Sequence, residues 1–461
     1  MDRDRMNRMD RTAENFYNVT EWPHGDAHED IGAVINDIIA DIKKRQSSTD
    51  HDAECGKPGA VIYIPSGDYH LRTQVFIDIS YLRIEGSGHG FVSSSIRFNI
   101  PEKDWKDMHE LWPGGSRILV NLEADPDDET AGAAFVVKRE GNPRISSVEF
   151  VGFCIDGLHF VDDGTGEDIP ENTYLNGKTG IYIASAQDSF RITNMGFIYL
   201  EHGLVIHNAD ALTIHDNFIA ECGNCIELRS AGQASKITDN LMGAGYRGYS
   251  IYAQNFGGLL IADNNIFPRG TSMVHFENVV RSTVTSNRFH SFYPGMLILS
   301  GCCSENLVAA NHFYRAREPW APMQMHDNGL MDDYGLVRVS GNNNSIVANH
   351  FSEIIDTPYI KPVGTSPVIL YLAAGHGNYV ATNHIVAATE AAAAADTSAA
   401  ACFAAQVGAM ISNQDAEEFP VVTVQVAEES SANIVLDSGT ESQVVLDRKR
   451  NAFRPTPDIP R

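Results

Sequence analysis

Ile214-His-Asp-Asn217-Phe218 is the stretch that decides the fold, because its pattern of an aliphatic residue followed three positions later by Asn recurs through the middle of the chain. The same phrase ends at Asn240, Asn264, Asn287, Asn311, Asn349 and Asn383. The first five asparagines are 23 or 24 residues apart, and the last two steps are 38 and 34 residues. A fixed period in the low twenties is typical of a repeat architecture.

The residues between the asparagines indicate which repeat this is. Short alternating runs such as Leu212-Thr-Ile214-His and Leu259-Leu-Ile261-Ala favour strands over helix pairs, and the leucines do not keep the fixed offsets of leucine-rich repeats. The sequence therefore predicts an all-β protein, a single-stranded parallel β-helix. Asn is expected at the corner of each coil, because it tolerates the left-handed backbone region and its amide can bond along a stack.

Composition narrows the possible functions. The chain of 461 residues carries 60 acidic and 34 basic residues, a net charge of −26, so nucleic acid is an unsuitable partner. Seven cysteines form no disulfide framework. Cys222-Gly-Asn-Cys225 has the spacing of half a zinc site, but no second Cys or His pair follows at a suitable distance, which favours a structural role and predicts no metal.

The two ends of the chain give predictions about location and capping. No apolar segment resembles a secretory signal or is long enough to span a bilayer, which predicts a cytoplasmic protein without a membrane partner. Apolar residues at helical spacing between 30 and 45 predict an amphipathic helix, with acidic residues at its start and Lys43, Lys44 and Arg45 at its end. Such a helix would cap the first coil.

The predicted organisation has three parts: an N-terminal tail over 1–20, a β-helix with its capping helix and inserted loops over 21–386, and a C-terminal part over 387–461. The C-terminal part begins with an Ala-rich segment near 390–405, which is either a helix or a lid, and then resumes strand character. Long loops on a rigid scaffold are common places for binding sites.

Residues at equal positions in successive coils should stack in columns, and these columns indicate where chemistry lies. Ile226, Ile251, Val274 and Leu297 are expected to point inward, so the next residue of each coil should point outward. That outward column contains Glu227, Tyr252, His275 and Ile298. It is either a surface that handles sugars or an ordinary polar face.

Asp216 lies in the same coil as Glu227, and we expect a single bend between them, across which their carboxyl groups could approach. Paired carboxylates are what glycosidic chemistry requires: one protonates the departing oxygen, and the other activates a hydroxyl or stabilises the oxocarbenium-like centre. Asp239 and Asp263 occupy the same position as Asp216 in their own coils, so an aspartate there is also explained by the corner itself.

Several longer runs make a family resemblance specific. The chain resembles the inulin fructotransferases and difructose dianhydride III hydrolases over nearly its whole length. The runs that carry the resemblance are Ala209 to Leu228, Gly196 to His202, Gly32 to Lys43, Asn176-Gly-Lys-Thr-Gly180, Phe267-Pro-Arg269-Gly, Phe292-Tyr-Pro-Gly-Met296 and Arg454-Pro-Thr-Pro457.

The resemblance implies a right-handed parallel β-helix that assembles as a homotrimer, with active sites at the subunit boundaries and no cofactor. It places the two catalytic carboxylates on Asp216 and Glu227. Glu201, His202, Glu221, Arg269 and His275 are the expected substrate-binding residues, although a structural corner role explains Glu221 and His202 equally well.

Two reactions compete within that family. A hydrolase opens the cyclic difructose dianhydride III with water to give inulobiose, whereas a fructotransferase releases the dianhydride from inulin. Three features favour the hydrolase: the missing signal segment, the stretch that begins at Met9 and the loop from Pro101 to Gly115. We expect Glu227 to donate the proton and Asp216 to activate water or to stabilise the fructosyl cation. A trimeric β-helix that only binds glycans is the alternative from another class.

Overall fold

The computed structural model describes residues 15–45, 58–90, 103–104, 114–141, 144–158, 176–184, 188–244, 248–266, 272–291, 294–315, 334–355, 368–389 and 422–436. The chain divides into two compact units, Met1–Gly245 and Tyr246–Arg461, which are described in turn. Both units confirm the predicted parallel β-helix, in which each coil contributes one strand to each of three sheets, here called A, B and C. None of the helical segments in the described ranges has the length and apolar character needed to span a bilayer. The cytoplasmic location stays a prediction.

Unit 1 contains the start of each sheet. Sheet A comprises Phe16–Asn18, Ala60–Ile64, Leu82–Gly86, Glu149–Val151, Arg191–Thr193, Thr213–His215 and Lys236–Thr238. Sheet B comprises Gly67–Leu71, Ser116–Val120, Cys154–Asp156, Gly196–Ile198, Phe218–Cys222 and Leu241–Ala244. Sheet C comprises Val75–Ile77, Ala133–Val137, Thr179–Ile183, His202–His207 and Asn224–Arg229. The two-residue strand Gly232–Gln233 lies between two coils.

Unit 2 repeats the arrangement. Sheet A comprises Leu260–Ala262, Thr283–Thr285, Leu307–Ala309, Ser345–Val347, Tyr379–Ala381 and Ile434–Val435. Sheet B comprises Asn265–Ile266, Arg288–Ser291, His312–Arg315, His350–Ile355 and His384–Thr389. Sheet C comprises Tyr249–Gln254, Ser272–Glu277, Leu297–Ser300, Val337–Val339, Val368–Leu372 and Val422–Val426. Short strands Phe256–Gly257, Gly375–His376 and Ser430–Ser431 lie at the bends. The Ala-rich segment predicted as a lid lies outside the described residues.

The predicted helix is present as Ile31–Arg45, and its apolar face is buried against the first coil. Asn36 joins it to that coil, since its side-chain amide donates to Gln74 O (2.8 Å) and its Oδ1 accepts from Phe76 N (2.9 Å). The approach is so close that a Cβ on Gly32 would lie 1.7 Å from Thr73 O. The expected acidic residues precede the first turn instead of lying within it, and Asp30 caps the helix by accepting from Ala33 N.

The interior of each unit is filled by aliphatic and aromatic columns. Phe289, Phe313 and Phe351 stack in unit 2 with ring centroids 4.6 and 4.8 Å apart. The inward column is confirmed, because Ile226, Ile251, Val274 and Leu297 are all fully buried. Parallel pairing in register sets these spacings, so each outward residue also lies directly above its counterpart in the next coil.

The corner asparagines form the predicted ladder, but not with the predicted backbone. Asn217 Nδ2 donates to Asn240 Oδ1 (2.8 Å) in unit 1, and Asn311 Nδ2 donates to Asn349 Oδ1 (3.0 Å) in unit 2. The left-handed residue is the one before each Asn, for example Asp216 with φ 55°. The expectation of a left-handed Asn was wrong, since a buried amide has to point inward to reach its neighbours while the preceding residue makes the bend.

A second amide ladder was missed in the sequence. Asn306 donates to Asn344, Asn344 to Asn378 and Asn378 to Asn433, each through Nδ2 to Oδ1 at 3.0 to 3.1 Å. All four side chains are buried, so these bonds satisfy polar groups that water does not reach. Both ladders hold successive coils in one register and make the outer faces rigid platforms.

Candidate active site

Glu227 lies in the sheet C strand Asn224–Arg229 of unit 1. Ile226 and Leu228 on either side of it are fully buried, so strand alternation turns the Glu227 side chain to the outer face. The residue is nevertheless only 4% exposed, because neighbouring polar side chains cover it. A carboxylate that is shielded from water needs hydrogen-bond donors or cations beside it, because burying an unpaired charge costs free energy.

Both oxygens of Glu227 have such partners. His202 Nδ1 lies 2.5 Å from Oε1, and Asn224 Nδ2 donates to the same oxygen at 2.9 Å. Arg229 Nε donates to Oε2 at 2.9 Å, and its Nη2 also contacts Oε2. The carboxylate is therefore fixed in position by three side chains.

These partners control the ionisation of Glu227. Burial raises the pKa of this carboxyl, but the hydrogen bond and charge of His202, together with Arg229, outweigh burial and hold the pKa below its ordinary value of 4.5. The group is a carboxylate at neutral pH in the resting site. This direction does not suit the proton-donating role that we expected from the sequence, since a general acid at neutral pH needs a raised pKa.

The charges around Glu227 alternate in sign over a longer chain. Arg229 Nη1 also donates to Glu129 Oε2 at 3.0 Å, and Tyr182 OH donates to Glu129 Oε1 at 2.5 Å. On the other side, His202 Nε2 lies 3.7 Å from Glu201 Oε1. Glu129, Arg229, Glu227, His202 and Glu201 thus form a row of alternating anions and cations or potential cations.

A cavity of about 470 Å³ opens beside this row. Its walls include Glu129, Tyr182, Glu201, His202 and Arg229, and the segment around Pro126 closes one side. Small-molecule sites usually occupy roughly 300–1,000 Å³, so a compact oligosaccharide is a suitable occupant. The cavity lies within unit 1.

The Asn176-Gly-Lys-Thr-Gly180 run lies along the cavity wall and fixes Glu201. Gly177 N donates to Glu201 Oε2 at 2.6 Å, and Glu201 N donates to Asn176 Oδ1 at 3.1 Å. Lys178 is directed away and donates from Nζ to Val120 O and Gly157 O. The run therefore positions one of the expected substrate-binding carboxylates.

Asp216 occupies a different place from Glu227. It is exposed, at the corner between sheets A and B, where its N–H donates to Thr238 O at 3.2 Å. The strand Phe218–Cys222 and a second bend separate it from sheet C, so the single bend expected between the two carboxylates was wrong. Neither Asp216 nor Glu227 is among the described residues that line the cavity, although His202 and Arg229, which bond Glu227, are. Within one chain, the fold does not bring the expected pair together.

The remaining expected residues fall in several places. Glu201 and His202 line the cavity. Glu221 is buried with φ 54° where the chain leaves sheet B, next to the Cys222 thiol, and is not among the described cavity residues. His275 lies in unit 2, where its Nε2 is 2.8 Å from Ser300 Oγ and its ring packs against Tyr249 and Tyr252. Arg269 lies outside the described residues.

Three residues of the site were missed in the sequence. Tyr182 precedes Glu227 in the same outward column, because Tyr182 pairs with Val205 and Val205 pairs with Glu227. Extending the column by two coils would have found it. Arg229 follows Glu227 by two positions on the same strand face, so alternation would have found it as well. Glu129 comes from a connecting segment and left no periodic signal.

The Cys222-Gly-Asn-Cys225 motif takes no part in the site. Both thiols are free and buried. Burial raises the pKa of Cys222 to about 12 and that of Cys225 well above its ordinary value. Since the thiolate is the reactive form, the two cysteines behave as packing residues.

The sequence of this chain is similar to two protein families and to a known enzyme. A family model described as the β-helix repeat of inulin fructotransferase matches residues 310–457, and one described as periplasmic copper-binding protein (NosD) matches 142–322. The DFA-I-forming inulin fructotransferase of Arthrobacter globiformis is 42% identical over 380 residues, which are 81% of this chain and 90% of that protein.

Two solved structures are similar to this chain over nearly its whole length. DFA-IIIase from Arthrobacter chlorophenolicus A6 in complex with DFA-III is 62% identical, with a TM-score of 0.87 and coverage of 97% of this chain and 100% of that one. A structure of that enzyme without its lid, in complex with GF2, is 60% identical, with a TM-score of 0.82 and coverage of 96% and 100%.

Proposed function

The chain belongs to the inulin fructotransferase family of enzymes, and from that premise we propose that it is a glycoside hydrolase that opens difructose dianhydride III with water to give inulobiose. The similarity to the Arthrobacter chlorophenolicus DFA-IIIase supports the hydrolase over the fructotransferase, because it is greater in both identity and coverage than the similarity to the DFA-I-forming enzyme. No cofactor takes part in the proposed reaction.

The observation that carries this proposal is the buried carboxylate of Glu227, which is bonded by His202 and Arg229, two residues in the wall of a cavity of about 470 Å³. A cyclic disaccharide presents hydroxyl groups in all directions, and the carboxylates and basic groups of the walls can accept from and donate to them. Glu201 and His202 bind substrate hydroxyls in this proposal. Glu221, Arg269 and His275 remain predicted substrate-binding residues with less support.

The proposed assembly is a homotrimer with active sites at the subunit boundaries, which is how the second carboxylate reaches the first. Asp216 is exposed on a corner and so is free to approach Glu227 of a neighbouring copy. In a closed ring, the same contact between different surfaces repeats at each boundary and gives three equivalent sites.

The proposed mechanism assigns Glu227 by its surroundings, and Asp216 takes the remaining role as the other carboxyl group of the expected pair. Glu227, ionised in the resting site, takes a proton from water while that water attacks the anomeric carbon, and the C–O bond to the departing oxygen breaks. Asp216 of the neighbouring copy donates the proton that this oxygen needs. In each turnover Asp216 loses one proton to the departing oxygen and Glu227 gains one from water, and exchange with solvent restores both groups. This assignment reverses the roles expected from the sequence.

The segment near 390–405 is proposed as a lid. The support is indirect: a solved relative is described as lacking its lid, which means that the enzyme in question has one. Closing a lid over a small substrate would exclude bulk water and strengthen the charge interactions in the site.

The test is to incubate the purified protein separately with difructose dianhydride III and with inulin, and to separate the products by chromatography. Inulobiose from the dianhydride, with inulin unchanged, is the expected result. Release of dianhydride from inulin would instead make the protein a fructotransferase. Inactivity on both would favour a glycan-binding β-helix. The Glu227→Gln variant, purified in parallel, controls for contaminating activity.

A further inference from the structure

Three histidines form a column on the outer face of sheet B in unit 2. His312 pairs with His350, and His350 with His384, in adjacent strands. Their ring centroids are 4.9 Å apart at each step. His312 and His384 are exposed and His350 is half-buried, so the column is open to solutes.

The amide ladder beneath the column holds it in register. Each histidine directly follows a ladder residue: Asn311, Asn349 or Asn383. Asn349 accepts from Asn311 through Oδ1 and donates to Asn383 Oδ1 at 3.0 Å. The three strands cannot slide past one another without breaking these buried bonds, so the imidazoles are arranged before any ligand arrives.

The spacing between two of the rings suits a metal ion. His350 Nδ1 and His384 Nδ1 are 3.1 Å apart. With metal–nitrogen bonds of about 2.0–2.1 Å, that separation corresponds to an angle of about 100° at the metal, between square and tetrahedral values. Two imidazole nitrogens on adjacent coils can therefore bind one ion together.

A hydroxyl group orients the central ring. His350 Nε2 lies 3.1 Å from Ser352 Oγ, and His312 Nε2 lies 3.2 Å from the same oxygen. When His350 donates from Nε2 to this hydroxyl, its Nδ1 carries a lone pair directed toward His384. Such a bond on the far nitrogen is the usual support of a metal-binding histidine.

We propose that His350 and His384 form a binding site for a divalent first-row transition metal ion of the Zn²⁺, Cu²⁺ or Ni²⁺ class. The bound ion would link the two adjacent coils that carry these histidines. Imidazole nitrogen suits these ions and not Mg²⁺ or Ca²⁺, which prefer oxygen. No group of three or more His, Cys, Asp or Glu side chains in the described part of the chain is arranged to hold a metal, so water completes the coordination. The site is independent of the proposed hydrolase reaction.

The test is calorimetric titration of the untagged, metal-stripped full-length protein with Zn²⁺. One saturable site per chain is expected, with a rise in melting temperature that grows with Zn²⁺ concentration, because an ion that binds only the folded chain stabilises it. His384→Ala and His350→Ala should each weaken binding at least about tenfold, since each removes one of two protein ligands. Ser352→Ala should weaken it less.

His376→Ala is the matched control, because His376 is an exposed histidine of the same unit that lies outside the column. It should bind Zn²⁺ as the unmodified protein does. Circular dichroism of each variant separates lost ligation from lost structure, and His384 is exposed, so its replacement leaves the core intact. Absence of a saturable site, or Zn²⁺ binding by the His384→Ala and His350→Ala variants as tight as that of the unmodified protein, would overturn the proposal and leave a hydrogen bond between the two rings.

Discussion

Glu227 and Asp216 belong to the same coil of unit 1 but have opposite surroundings. Glu227 is 4% exposed and is bonded by His202, Asn224 and Arg229, whereas Asp216 is exposed at a corner that aspartates also occupy in the next two coils. The repeat therefore presents carboxylates at many places. What distinguishes Glu227 is burial against Arg229 of its own strand and His202 of the neighbouring strand, while the connecting segment adds Glu129 as a second anion on Arg229.

The largest effect is expected from Glu227→Gln. The change keeps the shape of the side chain but replaces its basic carboxylate by an amide that cannot take up the proton. Turnover of difructose dianhydride III should therefore fall by several orders of magnitude. Size-exclusion chromatography and circular dichroism should match those of the unmodified protein. A variant with near-normal kcat would remove Glu227 from the mechanism.

Asp216→Asn tests whether the exposed carboxylate is also catalytic. We expect kcat to fall about 10²- to 10⁴-fold, the usual contribution of a general acid. Asp239→Asn is the matched control, since Asp239 occupies the same corner position one coil later with φ 59°. If both variants lose the same small amount of activity, the aspartate is only a corner element.

Mixing the two inactive variants tests where the pair meets. If Asp216 of one copy works with Glu227 of the next, co-expression of Glu227→Gln with Asp216→Asn restores about a quarter of the sites under equal random mixing in a closed ring. The measurement is the specific activity of the purified mixed oligomer against each parent. Assembly without any recovery would place both groups of a site in one chain.

The pH profile distinguishes the base from the acid. Because the pKa of Glu227 is held below 4.5, activity that needs its carboxylate should be retained through neutral pH and lost as pH falls through that lowered value. Arg229→Gln removes a cation that favours ionisation, so the acidic limb of kcat/KM should move to higher pH. Activity that rises with acidity would instead make Glu227 the proton donor.

The same lowered pKa makes a small contribution to stability. A carboxyl whose pKa is lower in the folded chain stabilises it above the unfolded pKa, and this contribution is lost as pH falls through the folded value. Arg229→Gln should therefore reduce the loss of stability that protonation of Glu227 causes at low pH. Denaturant titrations of both proteins at pH 7 and in the acid range measure this difference in the free energy of unfolding.

The smallest expected effect is on the free energy of unfolding, and it compares the inner residue Asn240 with the adjacent exposed residue Asp239. Asn240→Ala removes the Oδ1 that accepts from both Asn217 N (3.0 Å) and Asn217 Nδ2 (2.8 Å), and should lower the free energy of unfolding by about 1–3 kcal/mol. The adjacent Asp239→Asn, on the exposed side, should change it by less than about 0.5 kcal/mol. Denaturant midpoints of the two variants provide the comparison, and equal losses would mean that the inner amides do not support the corner.

The sequence by itself determined the fold, the inward columns, the capping helix and the ladder of corner amides. These depend on contacts between residues one coil apart, and a constant period places such residues above one another without knowledge of anything else. For the same reason, alternation along the Glu227 strand was sufficient to turn that residue outward and would have found Arg229.

Only the tertiary structure decided that Glu227 is buried, that its pKa is lowered and that Asp216 lies across a whole strand from it. Glu129 reaches Arg229 from a segment 100 residues away. The ionisation of a carboxyl depends on distances of a few ångströms to charges that the period does not place, and on how much water the inserted segments exclude. Periodicity fixes which residues stack, whereas the burial of a carboxyl group and its distances to charges also depend on the non-repeating parts of the chain.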